Sequence, residues 1–410
     1  MRVGFDITDL YVAQAGVYYY RYNLLRAMLH LNSPQFEFSL LDYYPIHGGW
    51  IDRPEVEALS PQTAPIRHIR GLRHRKLARL WFLQKPIAEQ MAQVVDKALL
   101  FPWEMLANSI MKRQLHIHLE GVDIFHASEV LNYAEPGVKT VATIYDMTTV
   151  LFPEYHTTQT KALQAEKFRF VREKADAVIA ISASARQDAI EYLDIKPERI
   201  HVVYAGVDPK FRPLPVDEVA PVLARHELRP DGYILHVSTI EPRKNLVRLL
   251  QAYQAVWQRQ PQSTPQLALA GATGWFFREV FDKVQALGLT EQVRFLGRVD
   301  DADLPALYNG ALFLAYPTLY EGFGLPALEA MACGTAVLTS NVSSLPEIVG
   351  QAGVYVEPKD IESITQGLRL LLDDNQLRQE LVEKGVERAK SFNWRKAAEE
   401  TTAVYTNLIN

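Results

Sequence analysis

A chain of 410 residues that is 48% apolar and 22% charged, with a formal net charge of -5, has the make-up of a soluble globular protein; a disordered tail or a nucleic-acid binder would look different. The length exceeds what one hydrophobic core organises, so two domains with a cleft between them are expected. The only cysteine, Cys333, excludes an intramolecular disulfide framework and a cysteine-built zinc site, is compatible with a reducing cytoplasm, and is expected to pack in a core.

The chain opens on a short apolar strand pattern, Val3–Asp6, and lacks the long apolar segment of a signal peptide, so a cytoplasmic protein is expected. No run approaches the ~18 apolar residues of a membrane span, which leaves only surface association open. Strand patterns follow at Phe36–Leu41, Val122–Phe125, Thr140–Tyr145, Ala177–Ile181 and Ile200–Tyr204, with helical patterns between them. That alternation predicts an α/β fold with a parallel sheet. The interval 43–115 breaks the alternation with Pro45, Pro54, Pro61 and Pro65 and a basic run over 67–76, followed by Trp81 and Phe82. It reads as an elaboration of the first domain, suited to an anionic membrane surface, to a phosphorylated acceptor, or to nothing more than a solvated helix face.

Pro209, Pro213 and Pro215 then punctuate the middle of the chain. The expected division is a first domain over 1–207, a linker over 208–228, a second domain over 229–392, and a terminal helix, 393–410, packing back on the first domain. The second domain repeats the alternation at Tyr233–Val237, Gln266–Ala270, Val293–Leu296, Ala311–Ala315, Ala336–Thr339 and Gly353–Val356. Two doubly wound sheets facing each other are the simplest outcome, and such sheets bind ligands in the loops beyond the carboxyl ends of their strands.

Those loops direct attention to 317–350. Gly322 and Gly324 permit a tight turn and a close ligand approach, and Pro326 suits the first turn of a helix expected to begin near Leu325. A helix start with free amides binds phosphate or sugar hydroxyls. Glu321 and Glu329 stand eight positions apart, which on a continuous helix is about 12 Å of rise. That separation disfavours the acid and nucleophile of a glycosidase, whose carboxyls lie ~5 to 9.5 Å apart, and suits an extended ligand held at two places. Arg243 and Lys244, in a second loop between strand and helix, supply the cations a diphosphate needs.

Glu321, seven intervening residues and Glu329 resemble the paired-glutamate motif of the retaining glycosyltransferases of family 4, and the resemblance extends over nearly the whole chain, leaning to the mannosyltransferase-like members. It implies a GT-B fold of two Rossmann-like domains. It also implies a nucleoside-diphosphate sugar, UDP- or GDP-linked, as donor substrate, with no separate cofactor. Glu321 and the backbone of Gly322, Phe323, Gly324 and Leu325 would meet the transferred sugar, and Glu329 the ribose hydroxyls. Arg243 and Lys244 would hold the diphosphate, although Ser238 and Thr239 stand where family members commonly carry an arginine. Gly16 resembles the glycine loop that approaches the diphosphate from the first domain, His126 the histidine near the transferred sugar, and Val299 part of the turn that meets the nucleobase. Asp146 resembles an aspartate often preceded by histidine, a place Tyr145 takes here.

The implied reaction moves a hexosyl group to a hydroxyl of a saccharide or other acceptor with retention of configuration. No nucleophile stands out, so a same-face route is expected, without a metal ion. Transfer to a sugar phosphate, as in sucrose-phosphate synthases, is an alternative acceptor chemistry. A sugar-nucleotide epimerase and a non-catalytic nucleotide-sugar-binding protein are alternatives of another class. Gly322, Gly324 and Ala327 also match a dinucleotide fingerprint, but no acid follows at Thr339–Val342 to hold a ribose.

Overall fold

The computed structural model describes residues 1–12, 16–43, 53–59, 66–69 and 115–410. The basic and aromatic stretch beyond Ile69, with its two suggested roles, lies outside the described residues.

Thirteen strands are found among the described residues, in two sheets. The first runs β3-β2-β1-β4-β5-β6-β7, built from β1 (Arg2–Asp6), β2 (Glu37–Tyr43), β3 (Ile66–Ile69), β4 (Ile124–His126), β5 (Lys139–Ile144), β6 (Ala177–Ala180) and β7 (Ile200–Val202). The pairings of β1 with β2 and β4, of β2 with β3, and of β4 with β5 are parallel. The second runs β10-β9-β8-β11-β12-β13, from β8 (Tyr233–Val237), β9 (Gln266–Ala270), β10 (Val293–Gly297), β11 (Phe313–Tyr316), β12 (Val337–Ser340) and β13 (Gly353–Val356). All its pairings are parallel. Strands buried on both faces need continuous apolar runs, and Val3, Phe5, Ile124, Phe125, Val141 and Ala142 in the first sheet, with Ile234, Leu235, Leu267, Phe313 and Leu338 in the second, are fully buried.

Packing divides the chain into two compact units: Met1–Thr143 with Glu166–Ile179 and Ala398–Asn410, and Ile144–Ala165 with Ala180–Ala397. In the second, the helix Leu246–Arg259 shows why its sequence is helical. Leu246, Leu249, Leu250, Tyr253 and Val256 recur at three- and four-residue spacing, and all are buried. That face lies on the core and against the helix Ile361–Asp373, whose own Ile364, Leu368 and Leu371 are buried.

Both sheets share one logic. In each, the first strand of the series lies between the second and the fourth, so the direction of winding reverses between β1 and β4 and between β8 and β11. Such a switch point opens a crevice beyond the carboxyl ends of its two strands. One strand departs from expectation. β3 falls inside the interval read as irregular, because Arg67 and His68 at its centre hide the strand pattern, and it pairs at the edge with Leu40 through Tyr43 of β2.

Candidate functional site

At the switch point of the second sheet, the loop after β8 and the loop after β11 meet. Beyond Val237 the chain extends to Glu241, makes one 3-10 turn over Pro242–Lys244, and enters its helix through Asn245, whose backbone is left-handed (φ 61°). Asparagine tolerates that conformation. Its side-chain amide donates to the Pro317 carbonyl at 2.8 Å and the Pro358 carbonyl at 2.6 Å, which ties the two loops together. The Leu319 amide adds a bond to the Arg243 carbonyl at 2.9 Å.

This frame gathers four charges in a nearly dry site. Arg243 reaches the Glu321 carboxylate at 2.9 Å, the Tyr320 carbonyl at 2.6 Å and the Glu241 carboxylate at 2.7 Å. Lys244 Nζ lies 2.8 Å from the other oxygen of Glu321, which also accepts from the Tyr316 hydroxyl at 2.8 Å. Burial alone would raise the Glu321 carboxyl, but the charges of Arg243 and Lys244 overcome it and hold the group down at about 2. Burial and the neighbouring Arg243 instead lower the Lys244 ammonium, against the pull of Glu321. The fixed charges of Arg243, Lys244, Glu241 and Glu321 balance.

The second loop is shaped by close approach. A Cβ on Gly322 would stand 1.9 Å from the Tyr145 carbonyl oxygen, and Gly324 has φ +102°, a conformation that L side chains rarely adopt. Two serines of the β12 loop secure it. The Glu321 amide donates to Ser343 Oγ at 2.9 Å, and the Ser344 hydroxyl is shared between the carbonyls of Glu321 and Phe323 at 2.9 and 2.7 Å. The backbone N–H groups of Gly322, Phe323, Gly324 and Leu325 have no partner among the described residues. They stand at the start of the helix Leu325–Ala332, where the helix dipole also favours an anion.

That helix begins at Leu325, so Glu321 lies ahead of it and the estimate based on one continuous helix does not apply. The two glutamates nevertheless have separate surroundings. Glu329 accepts from the Tyr308 hydroxyl at 2.8 Å and has no bond to the Arg243–Lys244 cluster. Burial raises its carboxyl to about 7, opposed by the Tyr308 bond and the charge of Lys210. Val299 is buried beyond β10, where Gly297 takes a left-handed conformation and its carbonyl accepts the Gly271 amide at 2.7 Å.

The residues named in the first sheet are placed differently. Gly16 is the exposed first residue of the helix Gly16–His30, with open space where a Cβ would stand; residues 13–15 before it lie outside the described residues. His126, expected beside the transferred sugar, is fully buried at the end of β4. Its Nδ1 lies 2.6 Å from the Tyr405 hydroxyl, its Nε2 3.0 Å from Thr143 Oγ1, and its ring packs 4.8 Å from that of Phe5. Burial, with the charges of Arg21 and Lys167, keeps it neutral well below the usual histidine range. With both nitrogens engaged, the ring has none to offer a substrate, which corrects the direct-contact expectation.

Tyr316, Tyr308, Glu241, Asn245, Ser343 and Ser344 were not singled out from the sequence. Only Asn245 carried a local signal, as a left-handed-tolerant residue just ahead of an apolar helical pattern. Among the described residues no three His, Cys, Asp or Glu side chains are grouped to hold a metal ion, and no helix is long and apolar enough to cross a membrane.

Comparison with known proteins agrees with this architecture. Residues 67–211 match the model of Glycosyltransferase Family 4, and residues 224–388 that of Glycosyl transferases group 1. The chain is 34% identical over 267 residues to the O-antigen chain mannosyltransferase B of Escherichia coli, a match covering 65% of this chain and 70% of that protein. It is also 34% identical over 240 residues to the serotype-specific mannosyltransferase WbdA of Escherichia coli, covering 58% of this chain but only 29% of that much longer protein. Among solved structures, the sucrose-phosphate synthase of Thermosynechococcus elongatus superposes with a TM-score of 0.73 at 20% identity, over 100% of this chain and 99% of that one, a likeness of fold. The two Rossmann-like sheets are those of the GT-B fold, and the chain belongs to glycosyltransferase family 4.

Proposed function

We propose that this glycosyltransferase moves a hexosyl group, with retention of configuration and without a metal ion, from a UDP- or GDP-linked donor to a hydroxyl of a saccharide acceptor. The observation that carries the reading is the meeting, at one switch point, of Arg243, Lys244 and Glu321 with the unpartnered amides of Gly322 to Leu325. The donor diphosphate lies against Lys244, Arg243 and those amides, Glu321 and the same backbone hold the transferred sugar, and Glu329 accepts from the ribose hydroxyls. Val299 borders the nucleobase, and Gly16 is a further backbone contact of the diphosphate. His126 acts at one remove, by fixing the end of β4.

In the proposed reaction the acceptor oxygen attacks the anomeric carbon from the face the diphosphate leaves. The bond to the diphosphate oxygen breaks, and that oxygen takes the acceptor's proton. Charge growing on the leaving group is stabilised by cations and amides already in place, which is where such sites derive most of their rate. A mannosyl donor is favoured, because the relative that this chain covers to 70% of its length is named a mannosyltransferase.

The test is incubation of the full chain with a panel of UDP- and GDP-linked hexoses and oligosaccharide acceptors, reading the released nucleoside diphosphate and the anomeric configuration of the product. Lys244→Ala is expected to lower turnover by about 10²- to 10³-fold. Unchanged turnover in that variant, or a product of inverted configuration, would refute the assignment.

A further inference from the structure

One histidine beside this site has no place in the reaction as drawn. His156 follows the 3-10 turn Pro153–Tyr155, and both its ring nitrogens are buried without a hydrogen-bond partner among the described residues. A buried polar group costs free energy unless it is satisfied, so an imidazole left in this state points to a partner that arrives.

Four contacts fix where that partner would come from. The His156 ring packs against Trp275, centroids 5.7 Å apart, and the Trp275 indole donates to the Tyr155 carbonyl. Trp275 belongs to the loop after β9, where the Gly274 amide donates to the Ile240 carbonyl at 3.0 Å, so this loop lies on the one that carries Arg243 and Lys244. On the other side Phe152 packs 5.9 Å from Tyr320, the residue whose carbonyl accepts from Arg243. His156 is thus held at the edge of the charge cluster by both of its neighbouring loops.

We propose that His156 is a further contact residue for the donor diphosphate, and that its neutral imidazole takes a proton from solvent as the diphosphate enters. The inference rests on the donor reading given above. The charged groups that face the imidazole are Asp146, Glu241, Arg243 and, on its own turn, Glu154. Trp275 contributes none. In the free protein burial keeps His156 below the usual histidine range, opposed by Asp146 and Glu241 and aided by Arg243. Arg243 and Lys244 are already neutralised by two carboxylates, so an entering diphosphate adds negative charge that the fixed groups do not match. An anion within ~4–6 Å favours the charged form of a titratable base. Of the groups that face this edge, the imidazole alone has room in its ordinary range to gain a charge near neutral pH.

The experiment is isothermal titration of the full chain with UDP and with GDP at pH 7.5, in two buffers of different ionisation enthalpy, comparing wild type with His156→Asn. The difference between the two proteins cancels protons that the nucleotide and Glu329 exchange. Wild type is expected to take up roughly half to one proton more than the variant, and the variant to bind about tenfold more weakly. Histidine ¹⁵N spectra of the wild type provide a readout without a variant: one imidazole should titrate at higher pH when nucleotide is bound. Equal proton counts and equal affinities in the two proteins, or histidine titrations unmoved by nucleotide, overturn the inference. If wild type binds neither nucleotide, the donor reading falls as well. If Lys244→Ala abolishes binding while His156→Asn binds as wild type does, the donor reading stands and only the role of His156 is lost.

Discussion

Lys244 and Glu321 are bonded to each other, yet their removal has unequal consequences. Without Lys244, the Glu321 carboxylate keeps Arg243 and Tyr316, so no charge is left alone. Without the Glu321 charge, Arg243 keeps its bond to Glu241 and the charge of Asp146, but Lys244 loses the carboxylate it is bonded to. Removing one partner of a buried ion pair costs about 3–5 kcal/mol when the other is stranded. Glu321→Gln should therefore lower the urea midpoint more than Lys244→Ala, although both impair turnover; a Lys244→Ala variant that is the less stable of the two would contradict the charge arrangement described. Glu329 gives a prediction of another kind. A carboxyl with its midpoint at about 7 is half protonated there, and its ionised form is the stronger acceptor for ribose hydroxyls. Nucleotide affinity, measured for the wild type relative to Glu329→Gln, should improve as pH rises from about 6 to 8. A ratio that stays constant across that range would separate Glu329 from the ribose.

Gly322 and Gly16, two of the three glycines named for the donor site, offer a contrast between loops. At Gly322 an added methyl group meets the Tyr145 carbonyl at 1.9 Å, so Gly322→Ala must displace the loop that Ser343 and Ser344 secure. Loss of about 1–3 kcal/mol of stability together with loss of turnover is expected. At Gly16 nothing lies within 4 Å, so Gly16→Ala should leave the thermal midpoint in place and lower turnover only if the diphosphate comes close to that backbone. A Gly16→Ala enzyme of full activity would remove Gly16 from the donor site. These loops also show what the chain announces and what it conceals. Strands buried on both faces stand out as apolar runs, and the β8 and β11 loops stand out because their glycines, prolines and adjacent charges interrupt such runs. β3 was hidden because its central Arg67 and His68 look like surface. The burial of His126 could not be read locally, since the Tyr405 that satisfies it lies 279 residues away. Ser343 and Ser344 look like ordinary loop serines until β12 is set beside β11, and a tertiary contact of that kind leaves no periodicity in sequence.

Across the whole molecule, buried ionisable groups of opposite tendency shape the response to pH. Asp9, raised by burial to about 6, and Glu329, raised to about 7, hold protons in the folded state that the unfolded chain has released, so their contribution to stability declines as pH rises through about 4 to 7. His236 works the other way. Burial holds it at about 4, with one nitrogen 2.8 Å from the Ala315 carbonyl and the other 2.8 Å from Ser238 Oγ, so the unfolded chain binds a proton that the fold refuses as pH falls from about 6.5 to 4. His126, held well below its ordinary range by burial, adds to that side. Asp188 is also raised by burial, and His156 and His201 are also lowered by it, so raised carboxyls and lowered histidines oppose each other over the same interval and the slope of stability with pH should be shallow from about 5 to 6.5. Below about 4.5 the balance ends: the Glu321 carboxylate, whose stabilising contribution is complete above its unfolded value, loses it as pH falls toward about 2, and His236 adds to that loss down to about 4. Urea midpoints measured from pH 3 to 8 should show a shallow stretch with a steep acid limb. Glu329→Gln, which carries no charge to bury, should gain on the wild type by on the order of 1 kcal/mol between pH 5 and 8. A variant that runs parallel to the wild type over that range would mean that Glu329 is not held in the low-dielectric setting the structure gives it.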